Sequence, residues 1–418
     1  MPGRVPARTI LRMDAAAARE CFPGLRDATF LDHACVGLAP EQAVRAVEDV
    51  ARRGAVCEER DASEHHVALD AIRDDARLEA AVLLGAGEDE ISLVESTTQG
   101  LNLAALAIPF EPGDNVVIAD LEFLQVAIPF VKLAEQGRIA EVRLARNIDG
   151  ALPVEAFARV VDERTRAVVV SSVQWCNGYR LDLRALRALC RETGALLVVD
   201  AIQELGALRI DVRDTPVDLL VAGGHKWLNA PYGCGVLYVD RRVLPVLRQP
   251  WWGYLAMDPP SGGWPAYFGD PTTTPLRPYD FPATARALEL GGTSNYPGAA
   301  ALAASLALVN EVGIANAERR VLDLSAQVRD EIDALGLELV SLPEAPSGIT
   351  VFRSSRNPED DTRLLARLLA ERVLVSIRYT AGVGGIRVST HYTNDESDLD
   401  RLVTALGRLR SRADRPAA

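Results

Sequence analysis

Lysine is nearly missing from this 418-residue chain, although basic residues as a class are not. Only Lys132 and Lys226 are lysines, whereas the other 43 basic residues are arginines. Arginine stays protonated, but a desolvated lysine amine can lose its proton and condense with a carbonyl group. A lysine kept in such a chain therefore indicates chemistry that a guanidinium cannot perform, although chance alone would also explain either residue.

Other features are also missing, and each absence excludes a class of protein. With a net charge of −13, the chain lacks the concentrated basic face that nucleic acids and anionic membranes require. No apolar run reaches the roughly 18 residues of a membrane span, and the first 12 residues lack the apolar core of a secretory signal. The six cysteines show neither disulfide nor metal-ligand spacing. We expect a cytoplasmic enzyme with no metal, no nucleic-acid partner and no membrane.

The surroundings of Lys226 distinguish it from Lys132, which reads as an ordinary helix-surface residue. A buried strand is predicted at 218–222, and two glycines and a histidine separate it from Lys226. A second strand, 236–239, follows after a glycine-rich turn. Glycines at this point allow the backbone and a reactive side chain to crowd around a ligand.

Apolar strands alternate with helices through the first 240 residues. This alternation predicts an α/β fold whose large domain is a mostly parallel sheet flanked by helices, with ligands bound beyond the carboxyl ends of the strands. Asp200 ends one strand and Lys226 follows the next, so both should face the same edge. The predicted strands are 29–32, 91–94, 115–119, 140–144, 167–173, 195–200, 218–222 and 236–239. The predicted helices are one beginning near 41, then 67–84, 101–108, 125–136, 153–161 and 182–193.

The remainder predicts a smaller C-terminal α/β domain. We assign residues 1–30 to an N-terminal arm that packs with the small domain, 31–295 to the large domain and 296–418 to the small domain. The aromatic segment 248–283 shows no periodicity and fits a channel wall, a dimer contact, a lid or simple packing of an insertion. Predicted strands of the small domain are 347–352, 373–377 and 386–389, and its helices are 299–312, 314–335, 360–371 and 396–409.

Ser96, Thr97 and Thr98 stand between the strand 91–94 and a helix. A strand, a hydroxyl-rich turn and a helix start together aim backbone N–H groups and the helix dipole at a phosphate. These hydroxyls are explained equally well as ordinary helix caps, and no nucleotide-binding glycine pattern is present. Taken alone, the turn leaves both interpretations open.

Asp200, Gln203, His225 and Lys226 gain meaning when they are considered together. Pyridoxal phosphate (PLP) requires an amine for its aldehyde, an anion at its ring nitrogen, a donor to its phenolic oxygen and ligands for its phosphate. A buried aspartate would keep the ring nitrogen protonated, so that the ring can accept electrons. Asp200 alone could equally be a helix cap, but the four residues together are more specific.

This set of motifs resembles the class V aminotransferases of PLP fold type I, the group that includes cysteine desulfurases, isopenicillin N epimerase-like proteins and kynureninase. The resemblance extends from about Phe30 to His391. The similar segments are, in order, 29–40 (opening strand and turn), 96–102 (phosphate loop), 198–203 (ring site), 224–228 (Schiff-base motif), 289–295 (threonine that reaches a neighbouring subunit's cofactor) and 386–389 (substrate arginine).

The resemblance implies PLP as cofactor, an amino-acid substrate and a homodimer with active sites at the interface. Lys226 would form the aldimine with PLP and act with Asp200 in catalysis. Arg387 would hold the substrate α-carboxylate, an assignment that depends mainly on the resemblance, and Arg378 is a second candidate. The implied cofactor-binding residues are Thr97, Thr98, Phe123, Trp175, Asp200, Gln203, Gly224, His225, Lys226 and, across the dimer, Thr293.

Departures from the family pattern narrow the predicted chemistry. Phe123 stands where desulfurases carry a histidine that stacks on the cofactor, Trp175 replaces an asparagine, and Gly223 replaces a serine that touches phosphate. The segment between Val373 and Arg387 lacks the cysteine that accepts sulfur in desulfurases. These differences make a cysteine desulfurase less favoured and place the chain closer to the isopenicillin N epimerase-like branch.

The predicted function is PLP-dependent chemistry at the α-carbon of a small amino acid or amino-acid-derived metabolite, of the aminotransferase type. A PLP-dependent carbon–sulfur lyase or epimerase is the first alternative. A non-catalytic PLP-binding homologue is the second, weakly favoured by loss of the stacking histidine. A nucleotide-binding protein of similar fold is disfavoured, because no dinucleotide fingerprint follows the first strand.

Overall fold

A computed structural model describes residues 13–413 of the chain. The first 12 residues of the predicted arm, including the segment predicted not to be a secretory signal, lie outside this range. The described part of the arm contains helix α1 (Ala15–Glu20). The Asp14 side chain caps this helix, because Oδ1 accepts a hydrogen bond from the Ala17 amide at 2.8 Å.

The described chain alternates strands with helices. The strands are β1 (Thr29–Phe30), β2 (Ile91–Val94), β3 (Asn115–Ala119), β4 (Glu141–Ala145), β5 (Thr165–Ser171), β6 (Leu196–Asp200), β7 (Leu219–Gly223), β8 (Gly235–Val239), β9 (Glu338–Leu339), β10 (Ile349–Arg353), β11 (Val373–Leu374), β12 (Ser376–Thr380) and β13 (Val383–Ser389). The helices after α1 are α2 (Glu41–Gly54), α3 (Ala62–Asp70), α4 (Ile72–Leu84), α5 (Thr97–Ala107), α6 (Leu124–Glu135), α7 (Val154–Ala158), α8 (Leu183–Thr193), α9 (Gly263–Gly269), α10 (Tyr296–Val312), α11 (Ile314–Ala334), α12 (Pro358–Ala370) and α13 (Glu396–Ala413).

Seven strands form the large sheet, in the order β2-β8-β7-β6-β5-β3-β4. All neighbours are parallel except those of β8, which is antiparallel to β2 and β7. Along β5, Val168 and Val170 pack into one apolar cluster, whereas Ala167 and Val169 pack into another on the opposite face. Since both faces are buried, the inner strands β3, β5, β6, β7 and β8 are largely apolar. The predicted α/β class and mostly parallel sheet are confirmed.

A second sheet, which we call the small sheet, has the order β12-β13-β10-β9 and lies in the C-terminal part of the chain. It is antiparallel throughout. Strand β1 pairs in parallel with β11, so the chain that follows α1 is tied to this part of the molecule. Helix α10 packs on α2 and α4, and its Leu302 and Leu306 belong to the core beneath the large sheet. The domain boundaries assigned from sequence stay predictions.

Several boundaries differ from the prediction. The helix predicted at 67–84 is two helices, α3 and α4, and α3 begins earlier because Asp61 caps the Ser63 and Glu64 amides. The helix predicted from residue 101 begins at Thr97, which places the hydroxyl-rich turn in its first turn. The strand predicted at 373–377 is divided into β11 and β12, and the short strand β9 was not predicted.

Within residues 13–413, no single helix is both long and apolar enough to cross a membrane. Helices α10 and α11 satisfy that test only as a pair, and they meet at an angle of 79°.

Candidate active site

A cavity of about 310 Å³ opens at the carboxyl edge of the large sheet, where β5, β6 and β7 end. Its walls come from the large sheet and its loops, from the turn after β1, and from strands β12 and β13 of the C-terminal part. The lining residues are Ala34, Cys35, Ser96, Thr97, Thr98, Phe123, Gln125, Ser171, Trp175, Asp200, Ile202, Gln203, His225, Lys226, Arg378 and Arg387. Ten of the twelve residues predicted for the site therefore come together in one cavity.

Lys226 lies in a tight loop, residues 224–234, between the antiparallel strands β7 and β8. We call this segment the lysine loop. The Gly224 amide donates to the Cys234 carbonyl at 2.9 Å, and the Gly37 amide donates to the His225 carbonyl at 2.7 Å. The loop is thereby fixed on both sides of the lysine. Burial lowers the pKa of the Lys226 amine to about 8, against the opposing effect of Asp200. At pH 7 about a tenth of an amine with this pKa is neutral and nucleophilic, a far larger fraction than for an exposed lysine.

Asp200 ends β6, between Ser171 of β5 and Val221 of β7. Its Oδ1 accepts a hydrogen bond from the Ile202 amide at 3.0 Å. Burial raises the pKa of this carboxyl to about 6. No arginine, lysine or histidine within residues 13–413 forms an ion pair with it. A buried carboxylate that faces the cavity and forms no ion pair there is suited to a positively charged ring nitrogen.

Gln203 joins the lysine loop to the turn after β1. Its Nε2 donates to the Ala34 carbonyl at 3.0 Å, and its Oε1 accepts from Trp227 Nε1 at 2.8 Å. The second Nε2 hydrogen remains available to the cavity. This position agrees with the predicted role as a donor to a phenolic oxygen, and that role stays a prediction.

The first turn of α5 forms another side of the cavity. Ser96 caps this helix, since its Oγ accepts from the Gln99 amide at 3.2 Å. Thr97 Oγ1 accepts from the Gly223 amide at 2.8 Å, so its hydroxyl hydrogen can be donated elsewhere. His225 lies beside this turn, stacked on Tyr232 with ring centroids 5.6 Å apart. Helix N–H groups, hydroxyls and an imidazole together suit an anionic group such as a phosphate.

The small sheet contributes two arginines. Arg387, on β13, is fully buried and forms an ion pair with Asp32 at 3.1 Å. Its Nη1 donates to the Trp175 carbonyl at 3.1 Å. Arg378, on β12, donates to the Ile377 carbonyl at 2.7 Å and to the Cys35 sulfur at 3.2 Å. Both predicted substrate-binding arginines therefore face the cavity.

Phe123 and Trp175 form an aromatic wall. Their rings meet edge to face, with centroids 5.4 Å apart, and the Lys226 Nζ lies 6.0 Å from the Phe123 centroid. Trp175 Nε1 donates to the Leu121 carbonyl at 3.0 Å. Phe123 can stack on a flat ligand at this position, but it cannot transfer a proton.

Beneath this wall lies Glu122, a buried carboxyl that sequence reasoning did not assign to the site. Its Oε1 accepts from the Ser171 amide at 2.9 Å and from Gln174 Nε2 at 3.1 Å, and its Oε2 accepts from Ser171 Oγ at 2.5 Å. Burial raises the pKa of Glu122 to about 7, and the nearby Asp200 contributes in the same direction. Glu122 therefore holds the end of β5, which pairs with Asp200.

Two of the predicted residues lie outside the cavity lining. Gly224 lies behind it, where an added Cβ would lie 2.8 Å from the Cys234 carbonyl oxygen. Thr293 is exposed, with its Oγ1 3.5 Å from His66 Nε2. Because the predicted role of Thr293 involves a second subunit, it stays a prediction.

Sequence reasoning also missed the roles of Asp32 and Cys35. Both lie in the turn after β1, a segment recognised from the sequence only as a family motif. For Asp32, the available signal was that a buried arginine requires an anionic partner. For Cys35, it was the position of the cysteine two residues before Gly37. In the part of the chain that the structure describes, no three or more His, Cys, Asp or Glu side chains are placed to hold a metal ion.

Comparison with known proteins gives a consistent family. The family model Aminotransferase class-V matches residues 29–402. A probable cysteine desulfurase from Methanothermobacter thermautotrophicus is 27% identical over 94% of this chain and 97% of its own. An uncharacterized aminotransferase from Schizosaccharomyces pombe is 31% identical over 79% of each chain.

Solved structures share the fold. The cysteine desulfurase from Thermococcus onnurineus superposes with a TM-score of 0.81 at 21% identity, covering 94% of this chain and 98% of that one. A Lys-to-Ala mutant of C-DES, with glycine covalently linked to its PLP cofactor, superposes with a TM-score of 0.82 at 21% identity, covering 93% and 98% of the chains.

Proposed function

The chain belongs to the aminotransferase class-V family, and from this premise we propose that it acts at the α-carbon of a small amino acid through Lys226. It is a PLP-dependent enzyme with the α/β fold of PLP fold type I. The substrate, the reaction outcome and the role of each residue are our inference.

One observation carries the proposal: a buried amine and a buried carboxyl face one cavity at the carboxyl edge of the sheet, and the carboxyl forms no ion pair within residues 13–413. Burial shifts the pKa of each toward neutrality, to about 8 for Lys226 and about 6 for Asp200. Perturbed groups of this kind concentrate at catalytic sites. PLP would fit between them, with its phosphate at the first turn of α5 and its ring against Phe123.

When bound, PLP supplies an aldehyde for the substrate amine and a ring that accepts electrons from the bond broken at the α-carbon. Asp200 favours the protonated form of the ring nitrogen because its carboxylate forms no ion pair with a residue of the range 13–413. Thr97, Thr98 and His225 would hold the phosphate. Lys226 moves a proton at the substrate α-carbon, for which its lowered pKa is suited.

Arg387 orients the substrate by its α-carboxylate. The guanidinium is fixed by Asp32 and by the Trp175 carbonyl, so it is already placed when the substrate arrives. A planar carboxylate matches the paired donors of an arginine. Which bond at the substrate α-carbon is broken would then depend on this contact and on the aromatic wall.

Aminotransferase-type chemistry is our leading assignment, because Lys226 is the one amine of the described lining, and His225 and Asp200 are assigned to the cofactor. A carbon–sulfur lyase is the second candidate. It is favoured by the Cys35 thiol in the cavity, although the segment between Val373 and Arg387 lacks a cysteine. A homodimer, with Thr293 serving the neighbouring site, completes the proposal.

The test is a panel of amino acids offered to the PLP-loaded enzyme, with the cofactor spectrum and the products recorded. Conversion to pyridoxamine phosphate with release of a keto acid supports transamination. Release of pyruvate with sulfide or a thiol supports the lyase, and a change of chirality alone supports an epimerase. A spectrum that does not respond to any amino acid would contradict the proposal and favour a non-catalytic PLP-binding protein.

A further inference from the structure

The cavity contains a cation that the proposed function does not use. Arg378 lines the cavity from β12, and within residues 13–413 no aspartate or glutamate forms an ion pair with it. Its hydrogen bonds go to a neutral carbonyl, that of Ile377, and to the Cys35 sulfur. By contrast, Arg387 is already neutralised by Asp32. The positive charge of Arg378 therefore faces the cavity unbalanced.

Strand register places the two arginines side by side. Ser376 pairs with Arg387, and Arg378 lies two residues further along the same strand, opposite Gly385. Side chains two residues apart project from the same face of a strand, and diagonal pairs on neighbouring strands lie about 7–8 Å apart. The two guanidinium groups are thus placed to contact two anionic groups of one small molecule.

Electrostatics agrees with this geometry. Arg378 opposes the protonated state of its neighbours, because its charge contributes to lowering the pKa of both Lys226 and Arg387. The charges of Arg378 and Lys226 repel one another in the cofactor-free protein, and an anion beside Arg378 relieves that repulsion. Asp200, the one carboxylate of the lining, lies on the large sheet and is expected to pair with the cofactor ring.

The cofactor phosphate is not the anion that neutralises Arg378. The groups suited to it, the first turn of α5, Thr97 and His225, belong to the large sheet and its loops. Arg378 instead contacts the turn after β1 and shares a sheet with Arg387. The free cation therefore lies with the substrate arginine rather than with the phosphate groups.

We infer that Arg378 selects substrates that carry a second anionic group, so that the enzyme acts on a short acidic amino acid. Arg387 takes the α-carboxylate and Arg378 takes the side-chain carboxylate or sulfonate. This inference rests on the proposed function for the α-carboxylate contact. Arg378 is here a specificity-determining residue, and Cys35 is displaced from it when the acidic group binds.

The first test compares acidic amino acids with their neutral amides on the PLP-loaded enzyme. L-aspartate, L-glutamate and L-cysteate are expected to exceed L-asparagine and L-glutamine in kcat/KM. In Arg378→Gln, kcat/KM for the acidic substrates should fall about 10- to 100-fold, the size expected for a lost charge-assisted contact, while the values for the amides change little. Arg356→Gln is the matched control, because it removes the same charge from an exposed loop of the small domain.

A binding measurement separates this inference from the proposed function, since it needs no turnover. Succinate carries two carboxylates and no amine, and butyrate carries one carboxylate. Calorimetry with the PLP-loaded enzyme should show succinate binding that is tighter than butyrate binding, and that weakens in Arg378→Gln but not in Arg356→Gln. If Arg378→Gln does not fold, Arg378→Lys and the succinate-to-butyrate ratio of the wild type provide the same comparison.

The outcomes are distinct. Acidic preference that depends on Arg378 supports the inference. Equal response to acidic and neutral amino acids, or equal loss of both in Arg378→Gln, would overturn it and leave the proposed function standing. Succinate binding that depends on Arg378, in a protein whose cofactor responds to no amino acid, would support the anion site and overturn the proposed function.

Discussion

The backbone of Gly37 lies directly against that of Lys226. A Cβ added to Gly37 would lie 2.0 Å from the Lys226 carbonyl oxygen and 2.3 Å from Asn229 Oδ1. The Gly37 amide also donates to the His225 carbonyl at 2.7 Å. The turn after β1 therefore fixes the position of the lysine loop. A side chain on Gly37 would move the reactive amine.

We expect Gly37→Ala to destabilise the protein by about 1–3 kcal/mol, because the clash is with backbone and cannot be relieved by a rotamer change. Cofactor affinity should fall as well, since the lysine loop shifts. Thermal unfolding and titration with PLP measure the two effects. Gly54→Ala is the control, because a Cβ at the end of α2 meets no atom within 4 Å. Equal melting temperatures for the two variants would contradict the conclusion that the turn after β1 fixes the position of the lysine loop.

Capture of PLP by the cofactor-free protein should depend on pH through the Lys226 amine. Only the neutral amine attacks an aldehyde, and burial lowers the pKa of Lys226 to about 8. The rate of capture should therefore rise with pH and level off above about 8, about two units below the point expected for an exposed lysine. The growth of cofactor absorbance after mixing measures this rate. A rate that still rises steeply between pH 9 and 10.5 would show that the amine is not perturbed.

Glu122 should make stability fall with rising pH. Its carboxyl titrates near 4.3 in the unfolded chain, and burial raises its pKa to about 7 in the folded cofactor-free protein. A raised pKa means that the folded state favours the protonated form, so the stabilising contribution is complete below about pH 4 and is lost as pH rises through 7.

Glu122→Gln cannot ionise and retains partners for Ser171 and Gln174. Its stability relative to wild type should therefore increase between pH 5 and pH 8, by up to about 3 kcal/mol. Denaturant unfolding of the cofactor-free proteins at both pH values measures the difference, with the exposed Glu88→Gln as control. A difference that is independent of pH would show that Glu122 is ionised throughout this range.

Much of the fold was predictable because the large sheet is buried on both faces. Apolar runs such as 167–173 can satisfy their burial only inside a covered parallel sheet, and Gly194 marks the end of α8 by its left-handed conformation. Boundaries that depend on capping were less predictable. Ser96 starts α5 at Thr97, and Asp61 starts α3 before the apolar periodicity begins.

The cavity itself was predictable from strand ends, because Asp200 and Lys226 had to meet where parallel strands finish. The partners of these residues were not predictable in the same way. Asp32 and Arg387 are separated by 355 residues in the chain, and their ion pair depends on the pairing of β1 with β11 and on the bridge between Asp32 and Ser389 of β13. Glu122 was considered only as the neighbour of Phe123. The sequence does not show that its carboxyl is buried against Ser171.

The position of the bond between protein and cofactor tests the central claim most directly. Borohydride reduction of the PLP-loaded enzyme fixes the cofactor to the amine that holds it, and the chain offers only two lysines to distinguish. Lys132 is exposed on α6 and pairs with Glu135, so Lys132→Ala is a matched control for Lys226→Ala. We predict the cofactor mass on the Lys226 peptide, with visible absorbance lost in Lys226→Ala and kept in Lys132→Ala. Cofactor mass on Lys132, or an unchanged spectrum in Lys226→Ala, would contradict the account.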